Sequence, residues 1–279
     1  MTSIVVTGAT GHVGGLVAQE LARREVPMRL LVRDPARAPG LPGAEAVAAD
    51  YADPVSLEAA LRPGDRVFMV SIHDSPERRL PLHRAFAEAA ARAGVAHVVY
   101  LSFCNAALDA IFLHGRVHGA TEGFLAEFGV PFTAIRNTMY ADGMAGWFDE
   151  DGVAREPGGD ARMSFSWRPE LARVIAQVLT EDGHEGRAYD IVTPSSVSLG
   201  ELAEIASRAT GREYRYEPAS DEEWVERWTA AGRDAWELEV GLSVYAALRA
   251  GELDVVTDDY EKVTGEKPAT IEQLAANLF

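Results

Sequence analysis

The chain has 279 residues, with 26 basic side chains against 43 acidic ones and a formal charge of −17. Only Lys262 and Lys267 are lysines, which excludes any mechanism that needs a lysine in the first 261 residues. The 47% hydrophobic and 25% charged fractions are those of a soluble globular protein with a large core in one or two domains, and no apolar run is long enough to span a membrane.

The acidity is uneven, with a net charge of −4 over residues 1–180 and −13 over residues 181–279. Such a surface repels phosphate backbones, so no nucleic-acid partner is expected, and the charge reads first as solubility. The opening MTSIVVTGATG lacks the regions of a signal peptide, so a cytoplasmic location is expected. Cys104 is the single cysteine, which rules out an internal disulfide and a Cys-rich zinc site; no metal is expected.

In chain order, residues 3–7 read as a buried strand and 12–24 as a helix with Val13, Leu16, Val17 and Leu21 on one face. Strands follow at 28–32, 46–49, 66–70, 97–101 and 131–136. Helices lie between them at 54–61, 76–93 and 115–128. Near-continuous Val, Ile and Leu mark strands covered on both faces. The alternation predicts the α/β class: a Rossmann-type doubly wound parallel sheet with a smaller C-terminal α/β lobe. Residues 149–160 read as a loop. Helices are expected at 169–180, 199–209, 221–231, 237–250 and 270–279, with short strands near 189–192 and 213–216. The expected division is a nucleotide-binding domain over 1–140 and a substrate lobe over most of 141–279, with some segments returning to the sheet edge.

The first strand–helix junction carries Thr7-Gly8-Ala9-Thr10-Gly11-His12-Val13-Gly14. Gly8 lets the chain turn off the strand, Gly11 removes a Cβ where a pyrophosphate would approach, and Gly14 lets the helix lie close on the sheet. The helix N-terminus then offers N–H groups and positive dipole to phosphate. A glycine triplet alone is weak evidence; its place at the first βα junction strengthens it. The second strand ends in Val32-Arg33-Asp34-Pro35-Ala36-Arg37. Arg33 suits the 2′-phosphate of NADP(H), while Asp34 before Pro35 reads as a helix cap. The less favoured alternative has Asp34 holding a ribose, giving NAD(H) or dual use. Asp50 and Tyr51, after the third strand, either flank the adenine or, for Tyr51, cover the sheet.

The segments TGATGHVGG, LVRDPARA, ADYADPVSLEAAL, HRAFAEAAARAGVAHVVYLS and HGATEGFLAEFGVPFTAIRNTMY resemble the NmrA-like family of atypical short-chain dehydrogenase/reductases. Within it the likeness is nearest to the bacterial NAD(P)H:quinone oxidoreductases. It runs from Ile4 to the terminal ANLF and is most specific over the first 140 residues. The resemblance implies an NADP(H)-binding Rossmann domain and a cleft against a small lobe. By position it implies that Gly8, Thr10, Gly11, His12 and Val13 form the phosphate loop and that Arg33 meets the 2′-phosphate. It further implies Ser71 and Ile72 under the adenine-side ribose, Ser102 and Phe103 beside the nicotinamide ribose, and Asn137 and Tyr140 at the nicotinamide and substrate end.

One departure from ordinary short-chain reductases is decisive. Their Tyr-x-x-x-Lys pair corresponds here to Gly119 and Gly123, and no tyrosine stands four residues before either lysine. That proton-donating mechanism is excluded by inventory. Three readings remain: hydride transfer from NADPH to a quinone or polycyclic aromatic ketone, a ketoreductase of natural-product assembly whose substrate supplies its own proton, or a non-catalytic NADP(H) sensor.

Catalytic candidates are Ser102, His118 and Tyr140, with His118 read as either a proton donor or a packed ring. Cys104, Asn105, His114, His118, Tyr140, Trp147 and Phe148 are candidates for contact with a small aromatic or quinone-like substrate. Cys104 equally suits plain packing, and the aromatic residues equally suit sealing the two lobes. A monomer or homodimer is expected.

Overall fold

Ile4, Val5 and Val6 are all buried, and they open strand β1 (Ile4–Thr7) of a computed structural model that describes residues 3–279. Helix α1 (His12–Arg23) follows, then β2 (Met28–Val32), β3 (Ala44–Ala48), α2 (Pro54–Ala60) and β4 (Arg66–Met69). Next come α3 (Pro76–Ala93), β5 (His97–Phe103), α4 (Leu113–Glu127) and β6 (Phe132–Asn137). Two-residue strands β7 (Met139–Tyr140), β8 (Val153–Ala154), β9 (Arg162–Met163) and β10 (Phe165–Ser166) lead to α5 (Arg168–Thr180) and β11 (Ala188–Asp190).

The seven-stranded sheet has the order β11-β6-β5-β4-β1-β2-β3, and β3-β2-β1-β4-β5 are joined by parallel pairings. This is the doubly wound order, with its reversal between β1 and β4, where a crevice opens beyond the carboxyl ends of the strands. Every residue of β1, β2 and β5 is buried, as a sheet covered on both faces requires. Edge strand β3 is the exception: its residues are exposed or half-buried and it carries outward Glu45. At the opposite end of the strands, Arg29 and Asp65 form a buried ion pair at 2.5 Å. Arg29 also donates to the Ala60 carbonyl, so both charges are hydrogen-bonded.

The chain divides into two units whose boundary is interleaved. The sheet unit comprises the chain through Phe103, then 117–136 and 168–189. Its late segment contains α5, which packs along α1, with Arg24 donating to the Arg173 carbonyl at 3.3 Å. The second unit takes 104–116, 137–167 and 190–279. Residues 168–189 thus belong with the sheet, while 104–116 lie in the second unit.

In the second unit β7 pairs with β10, β9 with β12 (Val197–Ser198) and β8 with β13 (Arg215–Tyr216). Helices α6 (Leu199–Thr210), α7 (Asp221–Ala230), α8 (Ala235–Arg249), α9 (Asp259–Thr264) and α10 (Ile271–Leu278) complete it. Capping boxes start four of them: Ser198 with Glu201, Ser220 with Glu223, Asp234 with Glu237 and Thr270 with Gln273. Among the described residues no helix is long and apolar enough to cross a membrane.

Candidate functional site

The glycine loop is shaped by contacts that two of its three glycines alone permit. Gly8 turns with φ +63°, and a Cβ there would meet Val70 Cγ1 at 2.4 Å. A Cβ on Gly14 would lie 2.2 Å from the Gly8 carbonyl oxygen, so close seating of α1 on the loop needs glycine. Gly11 differs: its Cβ would come no nearer than 3.3 Å to the Gly8 oxygen, a contact a small shift relieves. Internal packing therefore does not demand glycine there, whereas close approach by a ligand does.

Gly11 donates to the Gly8 carbonyl at 2.9 Å and is the N-cap of α1 without a side-chain cap. Thr10, Gly11 and His12 are exposed around that helix start and Val13 anchors it in the core. Backbone N–H groups, the helix dipole and a missing Cβ fit a dinucleotide pyrophosphate.

At the end of β2, Asp34 accepts from the Ala36 N–H at 3.0 Å and caps a short 3-10 turn that begins at Pro35. One of its carboxylate oxygens makes that cap, the reading the Asp-Pro pair suggested. Arg33 precedes it and is exposed.

Asp50 closes a local turn by accepting from the Ala52 N–H at 3.0 Å. Tyr51 lies against the sheet: its hydroxyl donates to Thr7 Oγ1 at 2.9 Å, and its ring sits 5.0 Å from that of Phe86. Burial pushes its phenol well above the ordinary value. These contacts give Tyr51 the sheet-covering role of the two weighed for it.

A buried polar cluster lies where β4 and β5 end against α3 and α4. Helix α3 buries the stripe Arg79, His83, Phe86, Ala87 and Ala90, in which two polar residues occupy apolar positions. His83 Nε2 accepts from the Ile72 N–H at 3.3 Å, so its proton sits on Nδ1 and is donated to Thr121 Oγ1 at 2.9 Å. Thr121 passes its own proton to the Val117 carbonyl at 2.7 Å. Burial, reinforced by the Arg79 charge, lowers the pKa of His83 to about 3, which keeps it neutral.

Arg79 donates to Ser71 Oγ and approaches His118 Nε2 at 3.3 Å. A guanidinium only donates, so Nε2 accepts, and His118 carries its proton on Nδ1, directed at the Tyr100 hydroxyl 2.9 Å away. Both ring nitrogens are thus engaged within the protein, which favours the packed, positioning role for His118 over that of proton donor. Its ring also lies 6.2 Å from Phe103.

One helical turn on, Glu122 accepts from Ser102 Oγ at 2.6 Å and is forked by Arg136 at 3.1 and 2.7 Å. The i, i+4 rise of a helix is about 6.0 Å and the i, i+2 rise of a strand about 6.6 Å, so the two contacts repeat in register between α4 and β5. Ser102 and Phe103 lie within β5, which runs two residues beyond its expected end.

Sequence reading missed Arg79, His83, Tyr100 and Thr121. The available signal was the i, i+4 pair Arg79 and His83 set into an otherwise apolar helical stripe.

The other candidates belong to the second unit. Buried Cys104 donates its N–H to the Asn137 carbonyl at 2.8 Å, and Asn137 donates its amide to the Thr138 carbonyl at 2.6 Å. Asn105 adopts φ +56°, and its amide donates to the Glu252 carbonyl at 2.6 Å. The Glu252 carboxylate accepts from the N–H of Ile111 at 2.9 Å, pinning the loop before α4. His114 lies between Phe112 and Trp236, with ring centroids at 5.6 and 6.5 Å.

Tyr140 is half-buried in β7, in register with Ser166. Trp147 packs on Phe165 at 5.8 Å. Phe148 meets Tyr214 and Phe279 edge-on at 5.2 and 5.6 Å, so its ring packs within the second unit. Among the described residues no group of three His, Cys, Asp or Glu is placed to hold a metal ion.

Comparison with known proteins agrees with this geometry. The sequence pattern of the NmrA-like family matches residues 1–229. An NAD(P)H azoreductase of Xenophilus azovorans is 31% identical, over 98% of this chain and 96% of its own. The Citrobacter sp. triphenylmethane reductase, solved in complex with NADP(H), has a TM-score of 0.88 and 30% identity, covering 99% of this chain and 100% of its own. The NADPH-dependent quinone oxidoreductase of Escherichia coli, solved with NADPH, has a TM-score of 0.90 and 27% identity, covering 99% of both chains.

Proposed function

The chain belongs to the NmrA-like family, and from that premise we propose that it is an NADPH-dependent reductase that passes hydride to a quinone or a polycyclic aromatic ketone. The observation that carries this reading is the uncapped start of α1, framed by Gly8, Gly11 and Gly14, with exposed Arg33 beside an Asp34 that caps the next turn. The relatives named as an azoreductase, a triphenylmethane reductase and a quinone oxidoreductase support the acceptor class, since azo groups, triphenylmethane dyes and quinones are all electron-accepting delocalised systems.

In this reading the N–H groups of the glycine loop hold the pyrophosphate and Arg33 holds the 2′-phosphate by charge-assisted hydrogen bonds. NADPH, when bound, supplies the hydride. Ser71 and Ile72 lie on the adenine side, and Ser102 and Phe103 on the nicotinamide side. Ser102 donates its hydroxyl to Glu122 and is fully buried, so what it contributes is the fixed position of that end of β5. Asn137 and Tyr140 are assigned by resemblance to the nicotinamide and substrate end.

The chain has no Tyr–Lys pair to donate a proton. A quinone tolerates this, because hydride addition yields a delocalised hydroquinone anion that takes its proton from water. A ketone with an adjacent phenol carries its own donor. The protein's contribution is then alignment of donor and acceptor, worth roughly 7–11 kcal/mol in favourable cases.

The test is to mix the protein with NADPH and a panel of quinones, aryl ketones and azo and triphenylmethane dyes, and follow the near-ultraviolet absorbance of the reduced cofactor. Accelerated loss with at least one acceptor is expected. No acceleration with any of them, despite tight NADPH binding, overturns the reading.

A further inference from the structure

We propose that His83 is a positioning residue of the cofactor site: by holding the Ile72 N–H it fixes the segment that leaves β4, along which the adenine half of NADP(H) lies. The inference rests on the reading that the chain binds NADP(H), and it gives a role to a side chain that no glycine or arginine motif marks.

Residues 70–75 join β4 to α3 as irregular chain. They leave the sheet at the reversal between β1 and β4, the crevice where a doubly wound sheet takes its ligand. The start of the segment is fixed from β1. The Val70 N–H donates to Thr7 Oγ1 at 3.0 Å, and Val70 Cγ1 occupies the space that a Cβ on Gly8 would need. The segment is therefore packed directly against the turn of the glycine loop. Ser71 and Ile72 come next, both half-buried.

Helix α3 holds these two residues from consecutive turns. Arg79 donates to Ser71 Oγ, and His83, four residues on, accepts the Ile72 N–H on Nε2 at 3.3 Å. The second contact is the one that fixes backbone. His83 is fully buried, and its Nδ1 lies 2.9 Å from Thr121 Oγ1. Thr121 gives its own proton to the Val117 carbonyl within α4, so towards His83 it accepts. That places the imidazole proton on Nδ1 and leaves Nε2 as the acceptor. The ring is a rigid strut between α4 and the Ile72 backbone.

Packing does not ask for a histidine at this position. Its neighbours in the buried stripe, Phe86, Ala87 and Ala90, are apolar, and a buried polar ring costs free energy unless its nitrogens are bonded. An apolar side chain would serve the helix as well; it could not supply an acceptor for the Ile72 N–H. Burial first, and the Arg79 charge second, lower the pKa of His83 to about 3, so the acceptor persists at neutral pH. A segment pinned before its ligand arrives loses less freedom on binding, and affinity gains by that amount.

Two substitutions divide the functions of the ring. In His83→Gln the side-chain amide reaches as far as Nε2 does and can still accept from Ile72. In His83→Asn it reaches only as far as Nδ1, so Thr121 keeps a partner and Ile72 loses its acceptor. Dissociation constants for NADPH are measured by fluorescence titration, with urea midpoints read on the same samples. His83→Gln should bind NADPH within about threefold of wild type, and His83→Asn about tenfold more weakly. A merely structural role would lower the urea midpoints and leave the NADPH affinities of the two variants equal; equal affinities overturn the proposal. Wild type gives an independent test should either variant fail to fold. Bound NADPH should slow amide hydrogen exchange in residues 70–73 by about fivefold or more. Exchange there that bound NADPH leaves unchanged overturns the proposal. Wild type that does not bind NADPH instead defeats the reading on which the proposal rests.

Discussion

At the scale of single residues, the structure separates side chains engaged within the fold from those left exposed. Asp34 and Arg33 are adjacent in sequence, yet Asp34 is tied to the Ala36 N–H and Arg33 is exposed. Replacing Arg33 by Asp removes a charge-assisted bond and sets a like charge against the 2′-phosphate. NADPH should bind about a hundredfold more weakly, while NADH should change by no more than about threefold. Parallel titrations check this, and equal losses for the two cofactors would defeat the assignment of Arg33.

The glycine turn and the place of Arg33 at the end of β2 were legible in sequence because both are local: a turn, a helix start, a strand end. His118 was legible only as a position. Its role depends on Arg79, 39 residues earlier, and on Tyr100, 18 residues earlier. Tyr51 shows the same limit, since its alternatives are separated only by the Thr7 and Phe86 contacts across the sheet.

At the scale of elements, the strands and helices of the first 137 residues follow from their patterning, with ends displaced by a residue or two. What patterning does not show are the two-residue strands β7, β9, β10 and β12, which have no period of their own and exist through distant partners. The transfer of residues 104–116 to the second unit is equally invisible, because it depends on Glu252 and Ser243 accepting from loop N–H groups more than a hundred residues away.

In that unit Glu156 joins α7 and α8. It is 3% exposed and accepts from Trp224 Nε1 at 2.7 Å, Arg227 at 3.0 Å and the Tyr245 hydroxyl. Glu156→Ala strands these donors and should cost about 3–5 kcal/mol in urea unfolding.

The pH dependence of Glu156 has a definite sign. Burial raises its carboxyl above the ordinary value, against the lowering effects of Tyr245, Arg227 and Trp224. The folded chain therefore keeps this proton more readily than the unfolded chain. The contribution of Glu156 to stability weakens as pH climbs from the unfolded value through the raised folded one. Relative to Glu156→Gln, wild type should lose stability as pH rises from about 4 towards 7, read from urea midpoints. A gap that stays constant or moves the other way would contradict this sign.

At the scale of the whole molecule, the 24 arginines and two lysines set what chemistry the chain can perform. Guanidinium groups carry the fixed positive charge of the sheet unit, among them exposed Arg33, Arg79 within the buried cluster and Arg136 against Glu122. An arginine does not titrate near neutral pH and does not tune a tyrosine by proton exchange. On the function proposed above, hydride transfer is therefore expected to proceed without an acid supplied by the protein.

Tyr140 is the tyrosine that the family likeness puts nearest the substrate, so its phenol tests the claim most directly. The measurement is kcat for NADPH oxidation by the best quinone acceptor in wild type and Tyr140→Phe. The account predicts values within about threefold of each other, since general-acid catalysis is typically worth 10²–10⁴-fold where it operates. A loss of about a hundredfold or more in Tyr140→Phe, with NADPH still bound normally, would show that the protein does supply the proton and would contradict the account.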